Sequence, residues 1–353
     1  MKRLLTIAPL LAAVIAIHLL CAATGTLYYL TQMTMSAYYA LLIIGLCVLM
    51  GYAGQISLGH GGFFAIGGYL SAALTTHNLE HLQDNSVISA LHSFGVLQSG
   101  QDLYGGTLLV VNPWFACILA ILAAVVIAYL IGIPVLKLKG HYLAMATLGF
   151  GIIIYRVVLA SEYFGEADGI SEVPAFVLLP GLVVSGDFAG RVQNYYIAWG
   201  LLIIGLILLL NLIDSRVGRA LRAIHGSSEA ADAMGVNTAR FKLQTFVLSA
   251  VFAAIAGIFL THYNGGIGPS EAGVMKSVRY VALVAVGGMA HLWGALTMGV
   301  LLNFLSLRGA FGAYDDAVFG LILILVMLYA PNGILSVRWR PRWARKKTAV
   351  EEG

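Results

Sequence analysis

The stretch Trp114–Leu136, WFACILAILAAVVIAYLIGIPVL, runs for 23 residues without a charged side chain. A helix needs about 20 predominantly apolar residues to cross the hydrocarbon core of a bilayer. Three other stretches have similar length and character, namely Leu4–Ala23, Tyr195–Ile213 and Leu243–Leu260. All four are continuous apolar blocks without strand-like alternation, so they predict membrane-spanning helices and argue against a β-barrel.

The composition of the whole chain agrees with this interpretation. Its 353 residues are 60% hydrophobic and 10% charged, with a mean hydropathy of +0.89. Soluble domains are about a quarter charged, so a chain with this composition could not cover a water-exposed surface. We predict an all-α integral membrane protein with about ten transmembrane or half-membrane helices. The ten hydrophobic segments are residues 4–23, 37–52, 61–76, 114–136, 141–160, 195–213, 243–263, 278–290, 294–307 and 316–330.

The distribution of charge predicts the orientation. If the N-terminus is cytoplasmic, most of the 20 Lys and Arg residues fall in cytoplasmic loops, as the positive-inside rule requires. The charged residues of the loops 77–112 and 161–194 are mainly acidic, so these loops are expected outside. Both termini are then cytoplasmic, and a permease domain 1–335 is followed by a basic cytoplasmic tail, 336–353. The apolar run after Lys2 and Arg3 exceeds the usual signal-peptide length, so an uncleaved first helix is expected.

Two glycine-rich joints, GYAGQISLGHGG (51–62) and GGMAHLWGA (287–295), each separate two segments that are short for a membrane crossing. Irregular backbone at membrane depth is tolerated only where it is buried in protein or lines a cavity. Short segments interrupted by glycine in both halves of a chain therefore point to a translocation pathway, and an inverted five-plus-five repeat is compatible with them. Close helix packing through small residues is the alternative. The predicted pathway residues are Gly51, Gly54, Gln55, Ser57, Gly59, His60, Gly287 and Gly288.

Enzymatic chemistry is not predicted. The sequence contains no GxxxxGK[ST], HExxH or GxSxG motif. Cys21, Cys47 and Cys117 lie singly in apolar blocks, which indicates packing and neither disulfide nor metal binding. His77, His81 and His92 occur in one outer loop without the acids or cysteines of a metal site, so we expect a surface loop there. We predict no cofactor, no metal and no nucleic-acid partner.

The cytoplasmic loop 214–242 contains RVGRALRAIHGSSEAADAMGVNTARFK, from Arg216 to Lys242. Ser227 or Ser228 can cap a short helix, and Glu229 suits its first turn. Gly235 can end that helix in a left-handed turn. A short capped helix between two spanning segments predicts a docking element for another protein. The alternative is an amphipathic helix lying on lipid headgroups.

Within this loop, Glu229-Ala230-Ala231 followed by Gly235 matches the EAA-x3-G motif of ABC importer permeases. The stretches MGYAGQISLGHGGFFAIGGY (50–69), KLKGHYLAMATLGFG (137–151) and VAVGGMAHLWGALTMGVLL (284–302) resemble the branched-chain amino acid permease family. The resemblance extends from about residue 37 to residue 335. Of the two permease types in such importers, the chain is more similar to the LivM-like type than to the LivH-like type.

The resemblance implies a multi-pass subunit of the bacterial inner membrane that is not itself an enzyme. Its expected partners are a second, related permease, two cytoplasmic ATPases and a periplasmic binding protein, in addition to membrane lipid. The expected cargo is a branched-chain or other hydrophobic amino acid, with urea or another small polar solute as the alternative. The residues expected to couple the chain to an ATPase are Ser228, Glu229, Ala230, Ala231, Met234 and Gly235.

A stand-alone secondary transporter or channel is the alternative from another class. Such proteins usually carry ionisable residues inside the membrane. In this sequence no acidic residue is expected at mid-membrane depth, and Arg156, Arg279 and Arg308 are expected near outer helix ends. Coupling to a partner that hydrolyses ATP is therefore the preferred hypothesis.

Overall fold

The computed structural model describes residues 2–79, 95–101, 107–138 and 140–330. The tail 336–353, His81 and His92 lie outside these residues, as does the end of the permease domain predicted at residue 335. The described part of the chain is mostly helical. Its helices are α1 (Lys2–Ala23), α2 (Tyr29–Cys47), α3 (His60–Thr76), α4 (Pro113–Val135), α5 (His141–Ala160), α6 (Arg191–Asp214), α7 (Arg216–Gly226), α8 (Ser228–Ala233), α9 (Thr238–Asn264), α10 (Val274–Gly287), α11 (Leu292–Leu307) and α12 (Asp315–Tyr329).

Five helices in the described part of the chain are long and apolar enough to cross a membrane. They are α4, α5, α6, α9 and the unit Tyr29–Tyr52, which is α2 extended by a π-helical turn at Val48–Tyr52. The composition therefore predicted the class of protein correctly, a helical multi-pass membrane protein. Each of the ten predicted hydrophobic segments also coincides largely with one helix.

Helices α2 and α9 form the centre of the molecule. In their apolar windows, 89% and 67% of the residues are buried, against 28–39% in α4, α5 and α6. The three outer helices therefore present many of their apolar side chains at the surface of the chain, and α2 and α9 present theirs to other helices. Helix α3 packs along α9 so closely that a Cβ at Gly67 would overlap the backbone of Ala254. Gly257 of α9 lies in the same way against the carbonyl oxygen of Phe64. Small residues permit this approach of two helix backbones.

The predicted short segments are confirmed in three cases and wrong in one. Helices α3, α10 and α11 have 17, 14 and 16 residues. The segment predicted at 37–52 instead begins at Tyr29 and has 24 residues including the π turn, so it is long enough to span. The first turns of this helix have low hydropathy because they contain the polar residues Thr31, Gln32, Thr34 and Ser36, so they were not recognised as part of a spanning segment. The hydroxyls of Thr34 and Ser36 donate hydrogen bonds to backbone carbonyl oxygens of the preceding turn, those of Leu30 and Gln32 respectively.

Two irregular breaks interrupt the helical core. The first, residues 53–59, separates α2 from α3 and belongs to the predicted joint 51–62. The second, residues 265–273, separates α9 from α10 and contains the 3-10 turn Pro269–Ala272; it was not predicted from the sequence. The other predicted joint, 287–295, is a tight turn between α10 and α11, where Gly288 has φ +104. The inverted five-plus-five repeat stays a prediction.

Short strands lie in the connecting segments, which corrects the all-α prediction. They are β1 (Leu97–Gln101), β2 (Thr107–Val111), β3 (Ile170–Ser171), β4 (Phe176–Leu179), β5 (Leu182–Val184) and β6 (Gly266–Ile267). β1 pairs with β2 and β4 with β5, both antiparallel. β3 pairs with β6, so Ile170 lies opposite Ile267 and the loop after α5 is joined to the break at 265–273.

Candidate functional site

The two glycine joints predicted from the sequence touch each other at the end of α2. A Cβ at Gly51 would overlap the carbonyl oxygen of Met289, so only glycine allows this approach. The Tyr52 hydroxyl donates a hydrogen bond to the Ala290 carbonyl oxygen at 2.9 Å. Gly287 packs against Gly294 across the turn between α10 and α11. The structure thus brings Gly51 against Met289 and Ala290 of the second joint, and the contact is one of close backbone packing.

The middle of the first joint is buried between helices. The His60 ring is hydrogen-bonded to Ser57 Oγ at 3.0 Å and to Ser249 Oγ of α9 at 2.7 Å. A Cβ at Gly59 would lie 2.6 Å from the Thr147 carbonyl oxygen of α5. Ser57 and His60 therefore tie the start of α3 to α9, and Gly59 allows α5 to approach. His60, one of the predicted pathway residues, is a hydrogen-bonded interior residue.

The end of the joint nearest the loop 214–242 contacts α7. Gly54 has φ +66, and a Cβ there would lie 3.0 Å from Nδ1 of His225. The side chain of Gln55 is 3% exposed, and neither its Nε2 nor its Oε1 has a hydrogen-bond partner among the described residues. The joint is therefore continuous from the loop 214–242, at Gly54, to the core of the helix bundle, at His60.

The short helix α8 has the ends that the sequence predicted. Ser227 is its N-cap, and its Oγ accepts a hydrogen bond from Ala230 N at 3.2 Å. Gly235 has φ +82, the left-handed conformation that ends the segment. Asp232 Oδ2 accepts a hydrogen bond from the Thr238 hydroxyl at 2.9 Å, which fixes the segment to the start of α9. Lys242 Nζ donates to Ser228 Oγ at 2.9 Å. The segment is thus held at both ends.

One residue of α8 anchors it to the rest of the chain. Ala231 is 4% exposed and packs in a small apolar cluster with Ala53 of the joint and with Leu221 and Ile224 of α7. The other coupling residues predicted on this segment are at its surface, and Met234 is 84% exposed. The segment therefore has an inner side fixed to the joint and an outer side open for contact.

Two clefts lie at opposite ends of α4. One, of about 380 Å³, is lined by residues of the first joint, the α8 segment and the end of α4, including Gly54, Ser228 and Leu136. The other, of about 960 Å³, is lined by Trp114 and by residues of the segment 171–177. Because α4 has 23 residues, its ends are about 35 Å apart, the thickness of a bilayer core or slightly more.

An ion pair inside the helix bundle was not predicted from the sequence. Glu271, in the second break, forms an ion pair with Lys276 of α10 at 2.9 Å and accepts a hydrogen bond from the Tyr39 hydroxyl of α2 at 3.2 Å. Glu271 therefore contacts α2 at Tyr39, well inside the spanning unit Tyr29–Tyr52, where the sequence predicted no acidic residue. Arg279 lies inside α10 but pairs with Asp315 and Asp316, the first two residues of α12, so its charged group is level with a helix end. The signal available in the sequence was GGIGPSEAG, 265–273, a glycine- and proline-containing break next to an apolar helix.

The family model described as branched-chain amino acid transport system / permease component matches residues 28–327. The chain belongs to this family. The family resemblance predicted from the EAA-x3-G segment and the flanking blocks is therefore confirmed, and the matched range contains both joints, the α8 segment and the Glu271–Lys276 pair.

The similarity to individual proteins also supports the assignment of the chain to this family. It is 29% identical to the high-affinity branched-chain amino acid transport system permease protein LivM of Escherichia coli K12 over 339 residues, which are 90% of this chain and 72% of that protein. Identity to LivM of Salmonella typhimurium is 30% over 325 residues, 86% of this chain and 69% of that protein. Identity to LivH of Salmonella typhimurium is 28% over 334 residues, 88% of this chain and 96% of that protein. No solved structure matches the permease.

Proposed function

We propose that this permease is the LivM-like subunit of an ABC importer in the bacterial inner membrane and that it passes branched-chain amino acids. The functions named for its relatives favour this cargo over urea. The geometry of α8 is the structural observation that carries the proposal. A helix anchored by Ala231 to the joint, with its outer side exposed, has the form of a contact through which a cytoplasmic ATPase moves the transmembrane helices.

The partners in this proposal follow from two opposite faces of the permease, the α8 segment and the cleft beside Trp114. The α8 segment receives one of two ATPases, and a periplasmic binding protein delivers cargo beside the cleft at Trp114 and residues 171–177. A second, related permease completes the membrane part, since the relatives include both LivM and LivH proteins. Residues 51–60 and the turn at Gly287–Gly288 act in this scheme as the joint that transmits movement to the pathway.

The function is tested by reconstituting the permease with its partner subunits in proteoliposomes. We expect leucine uptake that requires both ATP and the loaded binding protein, and no urea uptake above background. Uptake by the permease alone, driven by an ion gradient, would instead assign it to the stand-alone transporters. ATP-dependent uptake of urea but not of leucine would keep the importer assignment and overturn the proposed cargo.

Variants of the α8 segment test its proposed role in coupling. Gly235→Val forces a β-branched residue into a left-handed conformation, at a cost of about 1–2 kcal/mol. Glu229→Lys reverses a charge in the first turn, where the helix dipole favours an acid. Both variants should insert in the membrane but lose ATPase binding, stimulated hydrolysis and uptake in parallel.

Gly226→Val is the matched control for these variants. Gly226 lies in the same cytoplasmic region and does not adopt a positive φ, and a Cβ added there would meet no heavy atom within 4 Å. The control should retain ATPase binding and uptake. Wild-type values for Gly235→Val and Glu229→Lys would make α8 a membrane-surface linker.

The proposed orientation is tested by cysteine labelling. Phe188, in the loop after β5, is 82% exposed, and Met234 is 84% exposed. The three native cysteines, Cys21, Cys47 and Cys117, are buried, so background labelling should be low. In intact spheroplasts an impermeant maleimide should label Phe188→Cys, and Met234→Cys should react only after the membrane is opened. Labelling of both variants from the same side would contradict the orientation.

A further inference from the structure

Helices α3 and α10 both begin inside the helix bundle, and their first turns meet. The Ser277 hydroxyl of α10 accepts a hydrogen bond from Gly61 N of α3 at 3.2 Å. A Cβ at Gly61 would also come within 3.4 Å of the Glu271 carbonyl oxygen. The positive ends of two helix dipoles are therefore directed at one region, which favours negative charge there.

The depth of this region can be read from α2, which passes beside it. Tyr39 stacks on Phe64 of α3 and lies 6.1 Å from the ring of Tyr280 of α10, between ring centroids. In the spanning unit Tyr29–Tyr52, Tyr39 is ten residues from one end and thirteen from the other. At about 1.5 Å per residue these distances are about 15 and 20 Å, so the region is near the middle of the membrane.

Opposite charges occupy this mid-membrane region. Lys276 Nζ donates to Glu271 Oε1 at 2.9 Å and lies 5.2 Å from the centre of the Tyr39 ring. The Tyr39 hydroxyl donates to both carboxylate oxygens of Glu271, at 3.2 and 3.3 Å. We name Tyr39, Glu271 and Lys276 the midplane cluster. Each of its groups is a donor or acceptor that can exchange its partner for a charged ligand without moving far.

Two further hydroxyls beside the midplane cluster have no hydrogen-bond partner among the described residues. Tyr69 and Tyr280 are each 1% exposed, and both hydroxyl oxygens are buried. Tyr280 lies against Tyr39, and Tyr69 belongs to the apolar cluster that contains Ala272, the residue after Glu271. A buried hydroxyl without a partner costs free energy. Two of them beside a carboxylate indicate a site whose polar groups are satisfied when something else is bound.

The midplane cluster is also open on one side. The side chains of Glu271 and Lys276 are 19% and 29% exposed in the single chain. Charged side chains in the membrane rarely face lipid; they face other protein or a water-filled cavity and mark the path of a solute. This face of the chain is therefore unsuited to lipid and suited to the path between two permeases.

We propose that the midplane cluster binds the zwitterionic head group of an amino acid during its passage. Lys276, at the joined helix starts, receives the carboxylate of the cargo. Glu271 receives the ammonium group, with the neighbouring tyrosine hydroxyls as additional partners. An amino acid carries both charges, so it can replace each half of the ion pair by an equivalent partner. The inference rests on the proposed function and adds to it the residues that contact the cargo.

The test uses paired substitutions in the complete reconstituted importer. A single change would leave an unpaired charge in the membrane interior, which is strongly destabilising, whereas loss of both charges is usually tolerated. We therefore compare Glu271→Gln/Lys276→Met with the charge exchange Glu271→Lys/Lys276→Glu. The control is Arg279→Met/Asp315→Asn/Asp316→Asn, which removes together the other charged groups that pair with α10. Assembly, stimulation of ATPase activity by the loaded binding protein, and the maximal rate and KM of leucine uptake are measured together.

Both midplane variants should assemble and keep their stimulated ATPase activity, while leucine uptake falls about tenfold or more, the value of one lost hydrogen bond to a charged group. The control should retain uptake. A purely structural ion pair predicts the opposite, because neither neutralisation nor charge exchange would then slow uptake. Normal uptake in either midplane variant, or an equal loss in the control, would overturn the proposal. If the wild-type importer moves no leucine at all, the proposed function fails and this inference fails with it.

Discussion

Gly67→Leu should leave no folded permease in the membrane. A Cβ at this position would lie 2.6 Å from the Cα of Ala254, and it would overlap that residue's carbonyl oxygen. Both obstacles are backbone atoms of α9, so a rotamer change cannot relieve the overlap. Forcing extra atoms into a packed core typically costs about 1–3 kcal/mol, and separating two helix backbones costs more. Because α9 and α3 are at the centre of the bundle, we expect the whole fold to be lost.

The measurement is the yield and monodispersity of the detergent-solubilised chain. Gly200→Leu is the matched control, since Gly200 lies in the outer helix α6 and a Cβ there meets no heavy atom within 4 Å. The control should be recovered at wild-type yield. Normal recovery of Gly67→Leu would mean that α3 and α9 are not packed as described.

Ala231→Asp should abolish transport by an importer whose permease is still inserted. The substitution places a carboxylate in the cluster of Ala53, Leu221 and Ile224, where it has no partner among the described residues. Burying an unpaired charge costs several kcal/mol, so α8 is expected to leave its position on the joint. The side chain of residue 231 is buried within the permease, so it cannot contact a partner directly. Any effect on a partner must therefore pass through the displacement of α8.

Ala231→Ser serves as the control, because it adds one small polar atom without a charge. The two variants are compared by membrane yield, by co-purification of the ATPases and by leucine uptake. The aspartate variant should be inserted normally and transport nothing measurable, and the serine variant should transport at or near the wild-type rate. Uptake that survives in Ala231→Asp would show that movement reaches the helix bundle by a route other than the contact of α8 with the joint.

Much of this architecture could be predicted because a long apolar run and a glycine each constrain the backbone in their own part of the chain. Continuous apolar runs predicted the helices, since a membrane leaves little choice of backbone structure. The cap at Ser227 and the left-handed turn at Gly235 were also predictable, because both depend on residues within one turn of the chain. The EAA-x3-G segment then led to the family.

The rest depends on which helices meet, and hydropathy does not report that. The segment 265–273 looks like an outer loop in sequence, yet it descends between α3 and α5 and carries Glu271 to mid-membrane depth. The start of α2 was missed for a related reason: its polar residues bond within the helix and are partly covered by neighbours, so their polarity does not mark the membrane boundary. The role of Gly51 as a contact point for Met289 likewise required the fold.

The pairing of Ile170 with Ile267 has a thermodynamic consequence. Ile267 precedes Glu271 by four residues, so the outer loop is joined to the midplane cluster by a very short length of chain. From the other face, Gly54 precedes His60, the first residue of α3, by six residues. Binding at either face therefore acts on the same part of the helix bundle, the midplane cluster and the start of α3 beside it. Linkage between two such binding equilibria is reciprocal. In the proposed importer, the factor by which the binding protein changes the affinity of the α8 segment for an ATPase must equal the factor by which that ATPase changes the affinity for the binding protein.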